Sequence, residues 1–181
     1  WGVEDAVIED CSFRGGYLGI MLYSAPPTLV SNCILEGQDF VGVYVHDSSI
    51  ANVENCVFRH QNIAVYSNHM IGDLVMTGSQ VENVTECSVW IAWPGTHTIQ
   101  DCDLAKGTRG TIWTQGNLSC QTAIDCDMTD NYWGTDNPDS IRAWILDIND
   151  SNQACIRVDF EPFRSESTPT ERTSLGGMKA L

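Results

Sequence analysis

Ile8-Glu9-Asp10-Cys11-Ser12-Phe13 is the first copy of a short motif that recurs along the chain. The later copies occupy residues 30–35, 53–58, 99–104 and 123–128. Subtracting the residue numbers of their cysteines gives spacings of 22, 23, 46 and 24 residues. The spacing of 46 equals two periods, and Leu74-Val75-Met76-Thr77 takes the place of the missing copy. A fixed period of this length predicts a solenoid.

Each coil of this solenoid is predicted to contain three short strands. Apolar residues lie two positions apart in the motif, as in Cys11 and Phe13, which is strand spacing and not helix spacing. We interpret the residue before each cysteine as a one-residue corner, because Asp and Asn tolerate the left-handed backbone region. These corners are Asp10, Asn32, Asn55, Asp101 and Asp125. With no helices between the strands, the coils must stack in parallel.

The motif and the third-strand pattern Gly-Ile/Val-x-Leu/Val resemble the repeats of right-handed parallel β-helix proteins of the pectate-lyase-like type. The resemblance covers about residues 5–134. It implies an all-β fold, a right-handed parallel β-helix solenoid of about six coils. The repeat is specific for this fold and says little about function.

The end of the chain departs from the repeat. Asn137 and Pro138 are typical of a helix N-terminus, and the apolar spacing that follows predicts a short capping α-helix over about residues 138–148. A last strand is expected at about residues 155–160. We therefore assign residues 1–163 to the β-helix. Residues 164–181 are rich in Ser, Thr, Pro and Gly and are predicted to be a disordered tail or linker.

This closing segment is similar to the last coil of secreted bacterial β-helix proteins, through Asn131-Tyr132-Trp133-Gly134-Thr135 and the strand that follows the helix. The resemblance implies a secreted or cell-surface protein. No matching cap precedes Trp1, so we expect further coils or another domain upstream in the same chain.

The charge balance excludes some partners. The chain carries 24 acidic and 9 basic side chains, a formal net charge of −15. Nucleic acids and anionic membranes require Lys/Arg clusters, so neither is an expected partner. The longest apolar runs are too short to span a membrane, which argues against membrane insertion.

The eight cysteines fall into two groups. The five of the repeat motif share one inward-facing position, where free thiols act as small apolar side chains. Cys120 and Cys155 are expected to lie one coil apart and within reach of a disulfide, the alternative being two partly buried thiols. Cys87 has no obvious mate.

A predicted aromatic column is the strongest indication of function. On the third strand, the residue between two inward apolar residues must point outward, which applies to Met21 and to four aromatic residues. These are Tyr44, Tyr66, Trp90 and Trp113. A linear row of rings suits a linear polysaccharide, and the resemblance implies that this sheet is the substrate side. The alternative is that stacked rings only stabilise a parallel sheet or lie beneath another domain.

Paired acidic residues suggest a metal site. Asp101 and Asp103 flank one motif cysteine, and Asp125 and Asp127 flank the next. If Asp103 and Asp127 lie one strand apart, repulsion between them favours a bridging cation, and carboxylate oxygens suit Ca²⁺. The alternative is a solvated acidic patch.

No catalytic group can be assigned from the sequence. Bases near the predicted aromatic face are His46, His69, Arg59, Lys106 and Arg109, and none recurs with a carboxylate at matching positions. Three hypotheses therefore stay open. The first is a module that binds polysaccharide, the second is part of a lyase or hydrolase of polyuronate, and the third is a structural stalk.

Overall fold

The computed structural model describes residues 5–47, 50–68, 73–93, 95–114, 123–151 and 153–168. Apart from one helix, its regular elements are short strands. In chain order they are β1 (Ala6–Glu9), β2 (Ser12–Arg14), β3 (Leu18–Tyr23), β4 (Thr28–Ser31), β5 (Ile34–Glu36), β6 (Val41–His46), β7 (Ala51–Glu54), β8 (Val57–Arg59), β9 (Ile63–Asn68), β10 (Leu74–Thr77), β11 (Gln80–Glu82), β12 (Cys87–Ile91), β13 (His97–Gln100), β14 (Ile112–Trp113), β15 (Ile124–Asp127), β16 (Ile145–Leu146) and β17 (Ile156–Asp159).

These strands form three parallel sheets. The first sheet has the order β1-β4-β7-β10-β13-β15-β17, the second β2-β5-β8-β11, and the third β3-β6-β9-β12-β14-β16. Each strand pairs with strands one coil away, which is the topology of a parallel β-solenoid.

The number of regular coils is smaller than the predicted six. Four coils contain all three strands, because the second sheet ends at β11. In the next two coils the second strand is reduced to single bridged residues, Asp103 and Tyr132. The sequence period continues through these coils, but their second segment is too irregular to form a ladder.

The corner residues lie at the predicted positions in the first coils but not in the last one. Asp10, Asn32, Asn55 and Asp101 have φ angles of 52° to 55°. In the coil without a motif copy the corner is Gly78, where an added Cβ would lie 2.6 Å from the Asn55 side-chain oxygen. These positions accept a left-handed backbone because Asn, Asp and Gly tolerate it best.

The prediction that Asp125 is a corner is wrong. Asp125 lies within β15 and pairs with Arg157 of β17. The corner of that coil is Asp130, with a φ angle of 58°. Asn131 then takes the place of the motif cysteine, because its side-chain oxygen accepts a hydrogen bond from the Cys102 amide at 2.8 Å. The similarity of residues 123–128 to the motif is therefore a coincidence of alternating apolar residues.

The interior is a continuous apolar core along the solenoid. Its rows include Val30, Val53, Leu35 and Phe58, all with no exposed surface. The five motif cysteines are free thiols, as predicted. Four of them are buried, namely Cys33, Cys56, Cys102 and Cys126, whereas Cys11 in the first coil is exposed.

The predicted helix exists but is shorter than expected. The helix α1 spans Pro138–Ala143, and the Asn137 side chain caps it by accepting a hydrogen bond from the Ser140 amide. Ile145 and Leu146 then form β16 beside Ile112 and Trp113 instead of continuing the helix. Pairing at the open edge of the third sheet is the competing interaction, because an unpaired edge leaves backbone groups unsatisfied. The strand expected near residues 155–160 is β17.

The chain remains in contact with the solenoid beyond the predicted boundary at residue 163. The Arg164 amide donates to the Asn131 carbonyl, and the Arg164 guanidinium bonds the Asp103 carboxylate at 2.8 Å. The Thr168 amide also donates to Asp103. Residues 164–168 therefore pack on the second-sheet side, and the rest of the predicted tail lies outside the described residues.

The only α-helix in the described ranges is α1, with six residues, so no helix of the described chain could cross a bilayer.

Candidate functional site

The outer face of the third sheet carries the predicted aromatic column in register. Tyr44 is aligned with Tyr66, Tyr66 with Trp90, and Trp90 with Trp113 on four neighbouring strands. Met21, on β3, is aligned with Tyr44 on the neighbouring strand β6. The alternation of inward and outward residues along each strand places the rings on one side of the sheet. We call Tyr44, Tyr66, Trp90 and Trp113 the aromatic column.

The rings of the aromatic column pack against one another. The ring centroids of Tyr66 and Trp90 are 4.6 Å apart with planes 24° from parallel. Tyr44 and Tyr66 are 5.1 Å apart at 31°, and Trp90 and Trp113 are 5.9 Å apart at 42°. Neighbouring faces therefore cover each other to a large extent, and solvent meets mainly ring edges. This stacking stabilises the sheet.

A second apolar row supports the column from beside it. Val41, Ile63 and Cys87 are fully buried and pack against the column rings. Burial raises the pKa of Tyr66 to about 12, with a smaller contribution from nearby Tyr44. The hydroxyl of Tyr66 therefore stays protonated at neutral pH. Cys87, for which no mate was predicted, is a free thiol.

Arg109 lies over the C-terminal end of the aromatic column. Its guanidinium carbon is 4.3 Å from the ring centroid of Trp113 and 5.3 Å from that of Trp90. Glu86 holds it there through an ion pair of 3.0 Å. The cation–π contact covers ring surface that a ligand could otherwise use.

A polar and aromatic row borders the column at the C-terminal ends of the strands. Tyr23 stacks on His46 at a centroid distance of 5.1 Å with planes 16° apart. Asn68, aligned with His46, donates to the Tyr44 hydroxyl at 3.0 Å. The indole of Trp93 donates to the Asn68 side-chain oxygen at 3.1 Å. We call Tyr23, His46, Asn68 and Trp93 the flanking row.

The sequence analysis named only His46 from the flanking row, as one of the candidate bases. In the structure the His46 Nδ1 lies 3.2 Å from the Asp47 carboxylate. Tyr23 and His46 are separated by one period, 23 residues by subtraction, and this spacing could have revealed the row. A similar pair, Tyr17 and Phe40, stacks at 5.1 Å in the loops before the third strands.

The rings on this surface differ in exposure. Tyr17 is 65% exposed and Tyr23 is 59% exposed, whereas all four rings of the aromatic column are only partly exposed. Each of the two tyrosines stacks on a ring of the second coil through one face.

The four aspartates proposed to bind Ca²⁺ do not lie together. Asp103 is bridged to Gln80 and Tyr132, whereas Asp127 lies in the first sheet beside Asp159, so the expected spacing of one strand between Asp103 and Asp127 is wrong. The physical reason is the displaced corner at Asp130 described above.

Each of three aspartates has its own polar partners. Asp103 pairs with Arg164 and Asp125 with Arg157, at 2.8 and 3.0 Å. Asp127 accepts hydrogen bonds from Thr129, which lowers the pKa of Asp127. Asp101 serves as a corner. No cluster of three or more metal-ligating side chains occurs in the described part of the chain, and Ca²⁺ binding stays a prediction.

Most candidate bases are engaged in other contacts. Arg59 pairs with Glu82 at 3.3 Å, and Arg109 pairs with Glu86. Lys106 lies 4.9 Å above the ring of Trp144. His69 lies outside the described residues. These contacts do not assemble a catalytic group on the third sheet.

One cysteine of the predicted disulfide lies in the described residues. Cys155 is disulfide-bonded. Its predicted partner, Cys120, lies outside the described residues, so the pairing stays a prediction. A bond at Cys155 would tie the segment before β17 to the solenoid.

A groove of about 280 Å³ lies on the outer side of the second sheet. Gln80, Glu82 and Tyr132 line it, and Ser167 of the C-terminal segment forms part of its wall. Its two carboxylates, Glu82 and Asp103, are both ion-paired with arginines. The groove therefore offers little uncompensated charge to a ligand.

The fold and its outer aromatic face define a parallel β-solenoid protein of the β-helix class. The family model described as "Right handed beta helix region" matches residues 1–104, more than half of the 181 residues. The chain belongs to this family. No curated protein and no solved structure matches it.

Proposed function

We propose that this β-helix module binds polysaccharide on the outer face of the third sheet. The observation that carries the proposal is the row of aligned aromatic residues beside hydrogen-bonding side chains on the same face. Aromatic surface combined with a few well-placed polar groups is the usual composition of a site for an amphipathic ligand such as a sugar.

The stacked geometry changes how a sugar would be held. Because the rings of the aromatic column cover each other, the column offers a ridge of edges and not a set of free faces. A sugar on this surface would therefore meet those ring edges together with the flanking row, which includes Tyr23 and His46. The Asn68 amide and the Tyr44 hydroxyl, already linked at 3.0 Å, supply hydrogen-bonding groups beside them.

A glycan array followed by titration calorimetry tests the proposal. We expect binding to at least one polysaccharide, weakened roughly tenfold by Tyr23→Ala because a single aromatic contact is worth about 1 kcal/mol or more. The matched control is Tyr132→Ala on the second-sheet side, which should leave binding unchanged. Circular dichroism checks that both variants fold. An array without any bound glycan would contradict the proposal.

A structural stalk is the second candidate. The mutual coverage of the column rings and the cover that Arg109 provides favour it, because both features stabilise the sheet without needing a ligand. For a stalk, Trp90→Ala lowers the free energy of unfolding and no glycan binds. For the binding module, glycan binding is present and depends on Tyr23.

The proposal includes a secreted or cell-surface location and no catalytic activity. The disulfide at Cys155 supports an oxidising compartment. Action on polyuronate as part of a lyase or hydrolase remains the enzymatic alternative. Formation of unsaturated uronate ends, followed by absorbance with and without Ca²⁺, tests it.

A further inference from the structure

Carboxylates stand at both ends of the second strand of the third sheet. Asp39 lies just before β6 and is exposed, and Asp47 follows β6 with 45% of its side chain exposed. The Tyr23 hydroxyl donates a hydrogen bond to Asp47, and this bond raises the pKa of Tyr23. A sugar chain lying over β6, which is about 20 Å long, is therefore flanked by a carboxylate at each end of the strand.

The cations near this face are already compensated. Arg14 and Arg59 are the last residues of β2 and β8, and Arg109 lies in the loop before β14. Each pairs with a glutamate, at 3.5, 3.3 and 3.0 Å respectively. An arginine paired with a carboxylate in this way contributes little net attraction for a second anion. Lys106 lies over the ring of Trp144.

The whole chain adds to this local repulsion. With a net charge of −15, the long-range field opposes the approach of any polyanion. Sugar hydroxyls behave differently, because they can donate to carboxylates such as Asp47 and accept from the Asn68 amide. Such hydrogen bonds to a charged group are stronger than neutral ones.

From these charges we propose that the ligand is a neutral, hydroxyl-rich polysaccharide and not a polyuronate or another polyanionic glycan. This inference rests on the proposed glycan binding. It names Asp47 as a residue that determines specificity, because its carboxylate accepts hydroxyl donors and repels sugar carboxylates.

Matched polymer pairs test the inference with the intact chain. A neutral glucan, galactan and mannan are compared with the same polymers oxidised at C6 to the corresponding polyuronates, so each pair differs only at C6, where a hydroxymethyl group becomes a carboxylate. Affinity is measured by calorimetry at low salt and at about 150 mM salt, where exposed charges are largely screened. We expect one neutral polymer to bind at least tenfold more tightly than its oxidised partner, with the difference larger at low salt.

Two other outcomes have distinct meanings. Equal or tighter binding of an oxidised polymer, weakening as salt increases, overturns the neutral-ligand inference but leaves glycan binding in place. Absence of binding to every polymer of the panel and to the glycan array overturns the proposed function, and the inference with it.

A charge-neutralising variant isolates the role of Asp47. Asp47→Asn keeps the size of the side chain but removes its charge, so we expect the preference for the neutral polymer to fall several-fold. Asp159→Asn, at an exposed position on the first sheet, is the matched control and should keep the preference. Equal effects of both variants would show that only net charge matters and would overturn the assignment to Asp47.

Discussion

The first four coils and the coils that follow are held together in different ways. From β1 to β12, every coil repeats three strands, and equivalent residues form continuous rows. From β13 onward the second strand is lost, and individual polar side chains take over. Asn131 bonds the Cys102 amide and two carbonyls, and Arg164 bonds the Asp103 carboxylate.

Because of this difference, the two regions should respond differently to the loss of a single contact. In the regular coils each residue has equivalents above and below it, so the loss of one contact is shared along the row. In the last coils an important group has no equivalent. The buried Asp147 is the clearest example, because Arg142, Asn149 and the Val158 amide all bond to its carboxylate.

The largest expected effect is that of Asp147→Ala. The carboxylate is fully buried and is bonded by the Arg142 guanidinium at 2.9 and 3.2 Å. Its removal leaves the Val158 amide without its partner and leaves the arginine paired only with the exposed Asp150 carboxylate. Breaking a buried ion pair costs about 3–5 kcal/mol. Urea denaturation measures the loss. The control Asp125→Ala removes an exposed ion pair with Arg157 and should cost less than about 1 kcal/mol. Equal losses would contradict the comparison.

Two buried glutamines test the regular coils. Gln38 and Gln61 are 1% and 2% exposed and lie one period apart. The Gln38 amide donates to the carbonyls of Phe13, Gly15 and Glu36, whereas neither polar atom of the Gln61 side chain has a hydrogen-bond partner among the described residues.

We therefore expect Gln38→Leu to destabilise the protein by about 1–3 kcal/mol and Gln61→Leu to stabilise it by about 1 kcal/mol. Thermal and urea unfolding of the two variants under the same conditions measure both signs. Destabilisation by both substitutions would mean that Gln61 has a partner of equal value to those of Gln38.

The sequence predicted the regular coils well because their period is expressed in three separate features. The corners, the motif cysteines and the aromatic column repeat together from Asp10 to Trp113, and the structure confirms each of them. The end of the helix, the corner at Asp130 and the contacts of Arg164 were missed. They depend on edge pairing and on single polar contacts, which have no periodic signature.

The face of the third sheet was predicted only in part. Alternation along a strand fixes which side a ring lies on, so Tyr66 and Trp90 were placed correctly. Whether the rings stack or stand apart depends on side-chain torsions that the period does not fix. The cover of Trp113 by Arg109 likewise depends on a loop residue and its ion pair with Glu86.

His97 tests the junction between the two regions through pH. It is buried, and its Nδ1 accepts a hydrogen bond from the Leu74 amide of the last regular coil at 3.2 Å. Burial lowers the pKa of His97 below its usual 6.5, although the Trp93 carbonyl and nearby Asp73 act in the opposite direction. The unfolded state then binds the proton more readily, so the contribution to stability is complete above pH 6.5 and falls as the pH drops towards the folded-state pKa.

Unfolding free energies measured between pH 8 and pH 5 test this effect. The contribution of His97 has a slope of up to about 1.4 kcal/mol per pH unit. His97→Asn retains an acceptor but does not titrate, so the slope should become shallower. His60→Asn, which replaces an exposed histidine, should keep the original slope. The same slope in all three proteins would show that His97 does not cause the pH dependence of stability.

The last prediction concerns the feature that both regions share, the left-handed corner. Asp101 and Asp130 have φ angles of 55° and 58°, one at the start of the irregular coils and one near their end. Replacement of either by Ala should cost about 1–2 kcal/mol, because Ala pays the full steric cost of the left-handed region. Replacement by Asn should change the unfolding free energy by only a few tenths of a kcal/mol, roughly the range of a neutral surface change.

Four variants, Asp101→Ala, Asp101→Asn, Asp130→Ala and Asp130→Asn, measured by urea denaturation form the complete test. Similar costs at both corners would show that the left-handed corner is a backbone requirement independent of the repeat. A much larger cost at Asp130 would instead show that a strained backbone there also disturbs the C-terminal segment, since the Asp130 amide donates to the Pro162 carbonyl and the Asp130 carbonyl accepts from Arg164. In that case the corner would belong to the set of individual contacts that hold the last coils.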